Sequence, residues 1–111
     1  MEVELHKKFN IKNLTAFKVG GEIDYVYFPE NIEQFSAIDG NYKVFGNLSN
    51  TLISTFGYSG SVVITNKMNR IDIRDNKVIA GCGVKGPMLA KTVAEKGLSG
   101  LEFMIGFPGS V

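Results

Sequence analysis

The sequence predicts an α+β fold in which short strands and two helices are cut apart by glycines. Three observations carry that expectation. Ile23-Asp24-Tyr25-Val26-Tyr27-Phe28 concentrates aromatic and β-branched residues, the composition of a strand. Arg70-Ile71-Asp72-Ile73-Arg74 alternates polar and apolar residues, the mark of a half-exposed strand. Pro87 opens a segment with apolar residues at helical spacing. At 111 residues, with 44% hydrophobic and 21% charged residues, the chain has the make-up of one small globular domain. A chain of this size buries roughly two-thirds of its unfolded surface.

Following the strand at 23–28, Pro29 and Glu30 suit a first helical turn, and Ile32, Phe35 and Ile38 fall on one helical face. Asp39-Gly40 closes that helix, and Tyr42-Lys43-Val44-Phe45 reads as the next strand. The strand–helix–strand connection suits a parallel pair with a right-handed crossover. The stretch Thr51-Leu52-Ile53-Ser54 is ambiguous, whereas Ser61-Val62-Val63-Ile64-Thr65 is apolar enough for a buried strand. Asp75-Asn76 supplies a turn between Arg70–Arg74 and Lys77–Ala80, so 70–82 reads as a hairpin. The clearest helix is 87–96, where Leu89 and Val93 make an apolar pair, Ala90 and Ala94 allow close packing, and Gly97 is the stop. Two units are expected, 1–66 and 67–111.

The net charge of +1 gives no general attraction to nucleic acid or to a membrane surface. The aromatics Tyr25, Tyr27, Phe28, Phe35 and Phe45 lack a basic stripe beside them and are read as core. One cysteine excludes an internal disulfide and fits a reducing cytosol. The N-terminus lacks the pattern of a signal peptide, and no apolar run approaches the ~20 residues of a membrane span, so a cytoplasmic domain is expected.

Catalytic side chains are scarce. His6 lies in a charged stretch and reads as solvated; with one His and one Cys, a zinc site of the usual kind cannot be assembled. Glu102, between Leu101 and Phe103, reads as a partly buried structural carboxylate, and Cys82 as a small buried residue. Neither a Gly-x-Ser-x-Gly elbow nor a Walker-type lysine is present. What the chain does offer is three glycine-rich segments, at 46–50, 81–83 and 106–110, each following an apolar element. Glycines at the ends of elements let main chain approach a bulky ligand. The loop Gly46-Asn47-Leu48-Ser49-Asn50, after the strand ending at Phe45, gathers N–H groups and neutral side-chain donors suited to a phosphate.

The order of motifs carries more than any one of them: Thr15-Ala16-Phe17-Lys18-Val19-Gly20-Gly21, Phe45 to Asn50, Gly81-Cys82-Gly83-Val84, Gly97-Leu98-Ser99-Gly100-Leu101-Glu102-Phe103, then Ile105-Gly106-Phe107-Pro108-Gly109-Ser110-Val111. This series resembles the N-terminal part of the UDP-N-acetylenolpyruvoylglucosamine reductase (MurB) family, among the vanillyl-alcohol-oxidase-type flavoproteins. The resemblance implies an FAD-binding fold, here a small sheet with a crossover helix and then the start of a second sheet–helix subdomain. It implies that Gly46, Asn47, Leu48, Ser49 and Asn50 cradle the FAD pyrophosphate. By the same resemblance Gly81, Cys82 and Gly83 pass close to the cofactor, and Ile105, Gly106, Pro108, Gly109, Ser110 and Val111 line its flavin side.

The family moves a hydride from NADPH through the flavin to the enolpyruvyl group of a UDP-sugar, giving UDP-N-acetylmuramate for peptidoglycan. The redox chemistry belongs to the flavin. Two departures stand out. Leu48 replaces a usual glycine, and a leucine in left-handed backbone costs roughly 1–2 kcal/mol. The family's second glycine run, substrate-binding tyrosine and arginine, proton-donating serine and late glutamate have no counterparts, so no catalytic residue is assigned. The expectation is an N-terminal piece that alone holds FAD weakly or not at all, does not turn over substrate, and self-associates through an exposed apolar edge at Val111. The alternatives are a non-catalytic interaction module retaining the flavoprotein fold, and a small oxidase completed by a separate chain.

Overall fold

The apolar run Val62-Val63-Ile64 is shielded from solvent at every residue, a property of strands covered on both faces. It occupies the middle of the main sheet accordingly. The computed structural model describes residues 2–14, 21–46, 57–106 and 109–111. Four strands, β1 (Glu4–Asn10), β2 (Glu22–Phe28), β3 (Lys43–Phe45) and β4 (Tyr58–Ile64), form a sheet in the order β1-β2-β4-β3. β1 runs antiparallel to β2, while β2 and β3 both run parallel to β4. Val26 and Val44 flank β4 opposite Val62 and Val63 respectively.

The strand–helix–strand expectation is corrected in one respect. β2 and β3 share a direction but are not neighbours, because β4 is inserted between them. The helix α1 (Ile32–Ser36) starts later than Pro29 suggested. Asn31 caps it, its Oδ1 accepting from Gln34 N at 2.9 Å, while Gln34 Oε1 accepts from Glu30 N at 2.9 Å, a reciprocal cap close to a capping box. Of the predicted apolar face, Ile38 is buried, Phe35 meets Tyr42 edge-on at 6.0 Å, and Ile32 is 63% exposed.

Strand β1 was not expected. Val3, Leu5, Phe9 and Ile11 hint at alternation, but Lys8 adopts φ 50° and shifts its phase. His6 and Phe9 thereby share one face, their rings 5.1 Å apart and 5.5 and 5.8 Å from Phe28. His6 is half-exposed and hydrogen-bonds Glu4 Oε2 at 2.7 Å. Tyr25, expected in the core, is 42% exposed because it lies on the outward phase of β2.

A second, smaller layer follows. The hairpin β5 (Ile71–Arg74) and β6 (Lys77–Ala80) turns at Asp75, φ 54°, a conformation aspartate tolerates. Helix α2 (Gly86–Glu95) buries Leu89, Ala90 and Val93. It ends as the glycine stop predicts: Gly97, φ 77°, donates to Ala94 O, and Leu98 N donates to Val93 O at 3.1 Å, a Schellman closure. A 3-10 turn over Glu102–Gly106 packs on α2.

Two apolar clusters result. Ile11, Ile23, Val26, Phe28, Val62 and Ile64 form one; Val84, Leu89 and Val93 form the other, with Ile71, Ile73, Val78, Leu98, Leu101 and Met104 packed on it.

Candidate functional site at the carboxyl edge of the parallel strands

In open sheets with parallel strands, ligands collect outside the carboxyl ends, where the connections diverge. Here β2, β3 and β4 end side by side at Phe28, Phe45 and Ile64. The edge is tied by Thr65, whose N–H and Oγ1 both donate to Phe45 O, at 3.0 and 3.3 Å. Thr65 is buried, and Met68 N donates to its carbonyl at 3.0 Å, closing a turn through Asn66 and Lys67.

The second layer docks on that turn by main chain. Gly83 N donates to Met68 O at 2.8 Å, and Gly81 N to Arg70 O at 2.8 Å. A Cβ on Gly83 would fall 2.1 Å from Thr65 O, and one on Gly81 2.2 Å from Met68 O. Both glycines are therefore required by close approach of the chain to itself. The third glycine segment joins them: Lys85 and Ser110 form an antiparallel bridge, with Gly86 N donating to Gly109 O at 3.1 Å and Val111 N to Val84 O at 2.8 Å. The flanking pattern of these bonds makes Lys85 and Ser110 a pair that does not bond to each other, so the bridge uses neither residue's own N–H. Gly46 completes the junction, since a Cβ there would lie 3.2 Å from Ser110 Oγ.

Segments 46, 81–83 and 109–111 thus meet along one seam, and a cavity of about 360 Å3 opens beside it, lined by Asn66, Asn69, Gly83, Val84, Lys85 and Met88. Among the described residues, Asn66 Oδ1 is a buried side-chain oxygen without a hydrogen-bond partner. Asn66 and Asn69 were not singled out from sequence; a lone asparagine in a polar turn has the look of a turn former.

The other predicted residues fall elsewhere. Asn47, Leu48, Ser49, Asn50 and Pro108 lie outside the described residues, as does 51–54. Ile105 is 63% exposed and faces an apolar hollow of about 620 Å3 along α2, with Pro87, Ala90 and Ala94. Gly106 is exposed beside it, and a Cβ there would meet open space. Cys82 is exposed rather than buried, its Sγ 3.9 Å from Met68 Sδ, because the tight packing of Gly81 and Gly83 turns the residue between them outward. Glu102 is also exposed, accepting from Gly100 N at 2.9 Å at the head of the 3-10 turn. No group of three metal-ligating His, Cys, Asp or Glu occurs among the described residues. No helix among them is long and apolar enough to cross a membrane.

The arrangement defines a mixed α/β protein whose glycine segments meet beside a crevice at the carboxyl edge of the parallel strands. No family model matches the chain. Individual proteins do. A UDP-N-acetylenolpyruvoylglucosamine reductase of Caldicellulosiruptor saccharolyticus is 36% identical over 118 aligned positions, which take in 100% of this chain and 38% of that protein. The reductase of Clostridium tetani is 42% identical over 108 positions, 91% of this chain and 35% of its own. The crystal structure of the Thermus caldophilus reductase (MurB) superposes with a TM-score of 0.74 at 32% identity, over 98% of this chain and 39% of that one. The chain is a homologue of the MurB reductases that spans about two-fifths of their length and fits their N-terminal part.

Proposed function

We infer that the chain is the N-terminal FAD-binding part of an NADPH-dependent UDP-N-acetylenolpyruvoylglucosamine reductase, cytoplasmic and serving peptidoglycan precursor synthesis. The observation that carries this reading is the meeting of Gly46, Gly83 and Gly109–Val111 at the carboxyl edge of the parallel strands. The residues present fit a flavin nucleotide: glycine backbone borders the crevice at Gly83, one asparagine oxygen lacks a donor, and Lys85 supplies a positive charge.

In that role Gly46 begins the loop that holds the pyrophosphate through backbone N–H groups. Gly109 to Val111, fixed by their bridge to Val84–Gly86, form a preshaped wall for the ring system. When bound, the flavin supplies the hydride relay between NADPH and the enolpyruvyl sugar. The chain's own part is to bind, orient and exclude water; proton donation and UDP-sugar binding fall to the remaining three-fifths of a complete reductase.

Titration of the chain into FAD, followed by quenching of flavin fluorescence, should show saturable binding weak enough for the flavin to separate on gel filtration. With NADPH and the enolpyruvyl substrate, no UDP-N-acetylmuramate should form. Absence of saturable quenching at millimolar protein would sink the cofactor assignment. Turnover by the chain alone would sink the assignment of a partial site.

A further inference from the structure

Asn66 is held by its backbone from two directions. Thr65 before it is pinned to Phe45 O, and Gly83 presses so closely on the Asn66 carbonyl that a Cβ would sit 2.9 Å from it. An asparagine in a turn usually spends its oxygen on a nearby backbone N–H. This one does not: Oδ1 is shielded from water and has no partner. A buried oxygen left unpaired carries its full desolvation cost, and an isosteric apolar side chain would avoid it. The residue also borders the cavity that holds Asn69, Lys85 and Met88, so a small rotation of the carboxamide presents the oxygen to whatever enters.

The cavity chemistry is specific. An asparagine and a lysine line one small space together with apolar Val84 and Met88. Its complement is a group with an N–H or O–H donor near a negative charge, flanked by a flat or apolar body. Both halves of a flavin nucleotide carry that combination. We propose that Asn66 reads the cofactor: its carboxamide accepts a hydrogen bond from an N–H or O–H of the flavin or adenosine half, and Lys85 balances the adjoining phosphate charge. This rests on the cofactor reading above and adds a residue to it.

The test compares the chain with its Asn66→Leu variant in two measurements. Melting of the ligand-free proteins should place the variant at or above the wild type, because an unpaired oxygen has been removed. Equilibrium dialysis against FAD, FMN and ADP should show FAD bound about tenfold or more weakly by the variant. Whichever of FMN and ADP shows the same loss identifies the half that Asn66 reads. Unchanged affinity for all three overturns this inference and leaves the cofactor assignment standing. So does a variant melting several degrees lower, which would mean the amide has a structural partner in solution. If the wild type binds none of the three at millimolar concentration, the cofactor assignment itself falls. Asn66→Ser, which suits the turn, repeats the comparison if leucine prevents folding.

Discussion

The sheet unit and the hairpin–helix unit bury apolar residues to different degrees. In the sheet, Ile11, Ile23, Val26, Val62 and Ile64 are all at 0% exposure. Around α2 the buried apolar residues are Val84, Leu89, Ala90 and Val93, and Ile79, Met88, Phe103 and Ile105 are each more than half exposed. Local signals are as good in the second unit as in the first, with a clean hairpin alternation and a complete helix stop. What differs is closure. A layer of two short strands and one helix has little to pack against, and it joins the sheet unit through main-chain bonds such as Gly83 N to Met68 O. The difference teaches that regular elements and a finished core are separate achievements.

The largest expected effect lies in the closed core. Ile23→Ala should cost about 2–5 kcal/mol in urea unfolding, and Leu89→Ala less, toward ~2 kcal/mol, since its surroundings are already partly wet. A Leu89 cost equal to that of Ile23 would break the comparison. Next is the seam. Gly83→Ala forces a methyl against Thr65 O, and overpacking of this kind costs about 1–3 kcal/mol. Faster hydrogen exchange of α2 amides than of β2 amides in that variant would show the units parting; equal acceleration would argue against two units.

Gly97→Ala probes backbone strain alone, because no atom lies within 4 Å of the added methyl while φ is 77°. A loss of about 1 kcal/mol, confined to the helix end, is expected by thermal melting. The smallest effect concerns Glu4, which binds Lys67 Nζ at 2.6 Å and His6 Nε2 at 2.7 Å across the surface of the sheet unit. Lys67 first, and His6 second, hold its carboxyl below the usual glutamate range. A depressed folded pKa stabilises above the unfolded value and loses that contribution as pH falls through the folded one. Glu4→Gln should therefore lower stability by less than ~1 kcal/mol at neutral pH, since the pair is half-exposed. Its melting difference from the wild type should vanish in acid.

Much of this architecture can be read from local pattern. β2, β4, the hairpin and α2 each carry their own periodicity and stop signals. β1 cannot be read the same way, because left-handed Lys8 puts His6 and Phe9 on one face and destroys the alternation. The position of β4 between β2 and β3 depends on which strand is buried on both faces, a property of the assembled sheet. The seam was legible in its glycines, and the side chains beside it were not. Gly81, Gly83, Gly46 and Ser110 announce a close meeting of chain segments. Asn66 gains its interest only from the packing of Gly83 above it, and Cys82 and Glu102 owe their exposure to neighbours that sequence spacing does not reveal.

The central claim is that these segments make one cofactor wall, and amide chemical shifts of the isotopically labelled chain titrated with FAD test it most directly. The account predicts that the largest shifts cluster at Gly46, Asn66, Gly83, Lys85 and Gly109–Val111, with the hairpin tip at Asp75 and strand β1 nearly unmoved. Shifts scattered over the exposed apolar face of α2, or none along the seam, would contradict it.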